Sequence, residues 1–349
     1  MRIRWGMAAL VLGMPMLSAA AWAQLAPSPD APPVSTAPAP PPEDESVATL
    51  KLSVNLVDVF FTVKDKDGNL VPHLSKDDCA VTEDKQPQTI KNFQAQSDLP
   101  LTLGILLDTS GSQYRVLQLE QDTGSRFLER VLRQKDEAFL LSFDVNVDLL
   151  QDYTNSPRLL SRAMSKAQIN TAGGNGAAGI PGAGGGTVPV YGDPKGTVLY
   201  DAVYLASNEK LTQETGRKAM ILLTDGEDEG SDHKIGEAIA AAQRANAMVY
   251  VILIADLQGY GNWGYTGFSA MKRMTEETGG RLINVGNNGK KLEAAFQQIE
   301  DELRTEYIAS YTPSNTKLDG TFRRINVSCR GDGLKIQARR GYFATAPQN

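Results

Sequence analysis

Histidine and cysteine are nearly missing from this chain: two of each in 349 residues, His73 and His233, Cys79 and Cys329. So few imidazoles and thiols leave little material for a zinc site, or for catalysis that depends on a histidine base. A basic stripe is also lacking. The 35 Lys and Arg are outnumbered by 41 Asp and Glu, a formal charge of −6, so nucleic acid finds no electrostatic footing. The N-terminal apolar run, 7–20, is too short and wrongly flanked to span a bilayer. The glycine-rich stretch 173–186 lacks the Gly-Lys-Ser/Thr ending of a phosphate loop, which argues against nucleotide binding. What remains is a mildly acidic chain with room for one large domain or two moderate ones.

The ends are informative. Arg2 and Arg4 precede the apolar run, and Ala21-Trp22-Ala23 reads as a cleavage site, so 1–23 is expected to be a signal peptide. The protein is then exported to the periplasm, the cell surface or the medium. A retained signal anchor is the alternative, and would be its one contact with a membrane. Residues 24–48 are dominated by Pro and Ala and read as a disordered tether. Export permits a disulfide between Cys79 and Cys329; two separate buried thiols are the other reading.

Residues 49–97 carry short strand patterns. Asp65-Lys-Asp67-Gly68-Asn69 resembles the opening of a calcium loop, but Leu70 stands where Gly is needed and Lys76 where Glu is needed. A hairpin turn is the better reading. From 98 to 304 strands and helices alternate. Strands are expected at 101–108, 138–143, 145–150, 220–225 and 248–254, and helices at 114–132, from 154–157 onward, and at 290–303. That alternation predicts a doubly wound α/β domain, a mainly parallel sheet with helices on both faces. Residues 305–345 return to strands, at 307–311, 324–329 and 334–338. They are expected to complete a small β-sandwich with the N-terminal strands, because either set alone has too little core.

Three segments of the α/β part offer hard oxygen donors. Leu101-Thr-Leu-Gly-Ile-Leu-Leu runs uncharged into Asp108-Thr-Ser110-Gly-Ser112, at the strand edge where open α/β sheets place ligands. Gly196-Thr197-Val-Leu-Tyr-Asp201 sets a hydroxyl before a helix, and Thr224-Asp225-Gly226 ends another apolar strand. Carboxylates and hydroxyls suit Mg²⁺ rather than zinc or copper. Asp108 could instead cap the following helix. Asp201 reads as a surface or supporting residue, and the acidic run Glu227, Asp228, Glu229 and Asp232 as a solvated loop. Tyr260, Trp263 and Tyr265 lie in a loop on the same edge and suit either a contact surface or burial.

In order and context these motifs resemble the von Willebrand factor type A domain and its metal-ion-dependent adhesion site. The resemblance covers about 99–303. It implies direct binding of a divalent ion by Ser110 and Ser112, with Asp108 and Asp225 held partly through water, and Thr197 direct in some states. Mg²⁺ is the expected ion, with Mn²⁺ or Ca²⁺ as alternatives, and a Glu or Asp carboxylate of a protein partner would complete the octahedron. The flanks, Glu83-Asp84-Lys85 with Ile90-x-x-Phe93 and Tyr311-x-Pro313 to Arg339-Arg340-Gly341-Tyr342, resemble the VWFA-related domain family described from Acidobacteria. The expected function is metal-dependent adhesion, without catalysis. The rivals are a structural envelope subunit with an idle metal site and a metal-assisted hydrolase. Against the latter, the resemblance implies a site that usually offers neither an activated water nor a general base, and against a serine hydrolase Ser110 lacks a Gly-x-Ser-x-Gly elbow.

Overall fold

The structure is a computed structural model, and it describes residues 56–95, 99–170, 196–254 and 266–345. The proposed signal peptide and tether, the glycine-rich stretch and Tyr260, Trp263 and Tyr265 lie outside the described residues. Four strands come first: β1 (Val57–Lys64), β2 (Cys79–Glu83), β3 (Gln86–Gln88) and β4 (Ile90–Ala95). The α/β stretch follows as β5 (Leu101–Asp108), α1 (Leu117–Val131), β6 (Glu137–Phe143), β7 (Val147–Thr154) and α2 (Pro157–Met164). It continues through α3 (Leu199–Leu205), β8 (Arg217–Thr224), α4 (Ile235–Arg244), β9 (Ala247–Leu253), α5 (Gly267–Thr278), β10 (Leu282–Asn284) and α6 (Gly289–Arg304). The last four strands are β11 (Tyr307–Tyr311), β12 (Phe322–Cys329), β13 (Lys335–Ala338) and β14 (Gly341–Phe343).

The central sheet has the order β10-β9-β8-β5-β6-β7, parallel throughout except for the edge pair β6–β7. Its apolar strands alternate between two cores, as a sheet covered on both faces requires. Leu103, Ile105 and Leu107 of β5 meet Phe127 and Leu128 of α1, Leu160 of α2 and Phe296 of α6. On the opposite face Leu106, Phe139, Met220 and Val251 pack with Leu199 of α3, Ile239 of α4 and Met271 of α5. Gly104 leaves room for the Phe139 ring: a Cβ there would lie 2.6 Å from its Cζ. Several boundaries differ from the sequence reading; β8, for one, starts at Arg217 where the strand is expected from 220. The chain makes a 3₁₀ turn at Gly111–Arg115 before α1 starts, and the edge strand runs later than expected, to Thr154.

The strands at the chain ends form two further antiparallel sheets, β13-β1-β11-β4 and β14-β12-β2-β3. Each mixes strands from both ends, and their apolar faces share one cluster that includes Val59, Phe61, Val81, Tyr307, Tyr311 and Val327. Asp65 forms the β1 turn as expected, its Oδ1 accepting the amides of Asp67 and Asn69 at 2.9 and 2.8 Å. Cys79 and Cys329 stand opposite each other in register and are joined by a disulfide. A buried polar seam ties this part to the α/β part. Glu302 of α6 accepts from Lys64 of β1 at 2.8 Å and from Arg281 at 2.7 Å, and Gln337 of β13 donates to it at 3.3 Å.

Candidate metal centre

The β5–β8 pairing sets Leu107 beside Leu223, so the next residues, Asp108 and Thr224, emerge side by side at the carboxyl edge of the sheet. Thr224 Oγ1 donates to Asp108 Oδ2 at 2.6 Å, and the Ser110 amide donates to Asp108 Oδ1 at 2.9 Å. Asp108 therefore folds its own turn back on itself and joins β8; it does not cap the helix. That turn brings Ser110 Oγ within 3.0 Å of Ser112 Oγ. Beyond Thr224 the chain reverses at Gly226, whose φ of +86° favours glycine, and the Gly226 amide donates to Thr224 Oγ1 at 2.9 Å. Asp225 is thereby fixed at the same edge, 3% exposed.

Thr197 is tied to this turn through backbone. The Glu229 amide donates to the Thr197 carbonyl at 2.9 Å, and the Gly196 amide donates to the Glu229 carbonyl at 3.1 Å. Gly196 permits that approach, since a Cβ there would lie 2.5 Å from Glu229 Cβ. On the other side, the Val198 amide donates to the Asp144 carbonyl at 2.7 Å, and Asp144 Oδ2 accepts Thr109 Oγ1 at 2.9 Å. A closed circuit thus runs from Asp108 through Thr109, Asp144, the Thr197 segment and Glu229 back to Asp225 and Thr224. All three motif segments sit on it.

The electrostatics are those of crowded acids. Burial, and next to it the Asp225 charge, pushes the Asp108 carboxyl up to about 7. Glu120, on the buried face of α1, is pushed well above the usual carboxylate range by burial and then by Asp108 and Asp225. Both Glu120 carboxylate oxygens and the Oε1 of Gln113 are buried with no hydrogen-bond partner. A divalent cation fits such a place: it would relieve the like charges, and the donors around it are hard oxygens. Among the described residues no three His, Cys, Asp or Glu side chains form a ready metal cage. An ion held here would therefore rest on hydroxyls and water as well as on carboxylates.

The acidic run departs from the expected solvated loop. Glu227 accepts the amides of Thr266 and Gly267 at 2.8 and 2.9 Å, at the start of α5. Asp228 accepts the Tyr200 amide at 3.0 Å in the first turn of α3, and the Ser231 hydroxyl at 2.6 Å. These acids satisfy helix-end donors. Asp201 accepts the amides of Asp232 and His233 at 2.9 Å each and meets His233 Nδ1 at 2.7 Å, a supporting part as expected. Sequence reading overlooked Thr224 as the hydroxyl on Asp108, Asp144 as the link to Thr197, and Glu120 altogether. A groove of about 1300 Å³ runs from α5 and α6 to β12 and β13, and none of its lining residues belongs to the Asp108 turn.

No family model matches the chain, and no curated protein matches it. Among solved structures it is similar to BatB, a conserved hypothetical protein from Bacteroides thetaiotaomicron. The identity is 17% over 58% of this chain and 99% of that one, with a TM-score of 0.42. It is also similar to the vWF domain of the type V pili tip protein Mfa5 from Porphyromonas gingivalis. There the identity is 13% over 59% of this chain and 95% of that one, with a TM-score of 0.43. A third is proximal thread matrix protein 1 from the mussel byssus, in a structure with a zinc-occupied MIDAS motif. It is 14% identical over 64% of this chain and 50% of that one, with a TM-score of 0.45. This chain is a mixed α/β protein whose central, mostly parallel sheet is flanked by helices.

Proposed function

We propose that this chain is an exported, metal-dependent adhesion protein of the von Willebrand factor type A kind. Asp108, Ser110, Ser112, Thr197 and Asp225 would hold one divalent ion, Mg²⁺ first, with Mn²⁺ or Ca²⁺ as alternatives. The observation that carries the reading is the buried Asp108 turn, hydrogen-bonded to Thr224 beside Asp225, with the Ser110 and Ser112 hydroxyls 3.0 Å apart. An ion with few direct carboxylates keeps part of its charge and takes a partner's Glu or Asp as a further oxygen ligand. The protein partner is thus defined by an exposed carboxylate. Nucleic acid and nucleotide have no support in the residues present.

On this reading 1–23 is a signal peptide and 24–48 a tether, so the protein works in the periplasm, at the cell surface or in the medium. Residues 98–304 form the adhesion domain, while 49–97 and 305–345 build a β-sandwich beneath it. Catalysis has less support: among the described residues no histidine hydrogen-bonds to Ser110, whose partners are Asp108 and Ser112, while His233 meets Asp201 at 2.7 Å and stacks on Tyr204 with ring centres 3.6 Å apart. A chromogenic hydrolase panel with Mg²⁺ or Mn²⁺ tests that point. The main experiment is capture of partners from envelope and medium fractions, with Mg²⁺ and then with EDTA. Partners that are lost with EDTA and with Asp108→Ala, in a protein that still folds, support adhesion. The same partners in every arm would leave a scaffold with an idle site.

A further inference from the structure

The buried face of α1 carries one residue that packing does not explain. Leu117, Gly124, Phe127, Leu128 and Val131 share that face with Glu120, and Glu120 is 0% exposed. Neither of its carboxylate oxygens has a hydrogen-bond partner. A helix that only had to pack would take Leu or Met there, because an unpaired buried carboxylate opposes folding. Glu120 lies one turn into α1, directly after the 3₁₀ turn that carries Ser112 and Gln113, on the helix face that packs against β5; the charges of Asp108 and Asp225 reach it there. A second orphan stands nearby in the chain. Gln113 is 1% exposed, its Nε2 donates to Ser112 Oγ at 3.4 Å, and its Oε1 has no partner. Two unmatched acceptors behind the serine turn describe a place for donors, and water bound to a cation supplies strongly polarised ones.

We infer that Glu120 is a positioning residue of the metal centre, accepting hydrogen bonds from ion-bound water behind the Asp108–Ser112 turn. It acts through water, because no three acidic side chains lie close enough among the described residues to grip an ion together. This inference rests on the metal-centre reading proposed above. Partners of this kind orient the directly bound ligands, and their loss weakens metal binding about 10–100-fold.

The test is Mn²⁺ binding to the purified full chain by calorimetry, comparing the unsubstituted protein with Glu120→Gln, and with Glu120→Met should the first variant not fold. Thermal melts in EDTA accompany each. The expected result is a Kd for Mn²⁺ raised about 10–100-fold, with a metal-free melting temperature that holds or rises. An unchanged Kd with a lowered metal-free melting temperature would make Glu120 merely structural and overturn the inference. Failure of the unsubstituted protein to bind Mn²⁺ would overturn the metal-centre reading, and this inference with it.

Discussion

Removing the Cys79–Cys329 disulfide is the most quantitative perturbation available. The two residues are 250 positions apart in sequence and face each other across β2 and β12. A cross-link stabilises chiefly by restricting the unfolded chain, and loop entropy grows with the logarithm of loop length. For a separation of 250 the chain-entropy relation gives about 5.5 kcal/mol at 25 °C as a ceiling. The loop contains the whole α/β part, so with the bridge intact β2 and β12 stay paired at one point even while the rest opens. The Cys79→Ala/Cys329→Ala double variant should therefore lose several kcal/mol of global stability. Hydrogen exchange should speed up at the amides that open only on global unfolding, those of β8 and β5 at the centre of the six-stranded sheet included. Urea denaturation of both proteins, followed by exchange at those strands, measures both effects. A loss below about 2 kcal/mol, the low end of the typical contribution of a bridge, would refute the entropic argument.

Other outcomes follow from buried groups. In EDTA, Asp108 has a folded-state pKa raised from 3.8 to about 7, so the folded protein keeps a proton that the unfolded chain has released. Stability of the metal-free protein should fall as pH rises through that window, and Asp108→Asn should flatten the slope; a melting temperature that climbs over the same range would contradict this. Gly104→Ala drives a methyl to 2.6 Å from Phe139 Cζ and should cost about 1–3 kcal/mol, with Phe139→Leu recovering much of it in denaturant melts. Glu83→Gln leaves the buried Arg323 guanidinium without its counter-charge and should cost about 3–5 kcal/mol; a neutral result would show that the carbonyls of Asn315 and Lys317 suffice for Arg323.

The parallel core was legible because its strands are covered on both faces and therefore read as unbroken apolar runs. β5, β8 and β9 all carry that mark. So did α6, whose Leu292, Phe296, Ile299 and Leu303 fall on one buried stripe. β3, β10 and β14 were missed: each is three residues long and is held by its neighbours, not by a pattern of its own. At the site, the motif residues announced themselves by type and order. Thr109 and Asp144 did not, because their link depends on two strand ends meeting across the sheet. Glu120 did leave a signal: an acid in register with Leu117, Gly124 and Phe127 interrupts an apolar helix face. The acidic run misled in the opposite direction, since its composition resembles a solvated loop while Glu227 and Asp228 serve helix ends.

The pairing of β4 with β11, Ala95 opposite Tyr307, brings the α/β part's entrance and exit together. During synthesis only β2 and β3 of the first four strands emerge with a partner at hand, and β1 must wait for β11 and β13, as β4 must for β11. The two four-stranded sheets can close only after β13 and β14 have been made. On the export reading proposed above this delay is useful: the two halves would meet on the far side of the membrane, where an oxidant can weld them. A copy truncated before β12 could not be sealed, and its unpaired early edges would expose it to proteolysis.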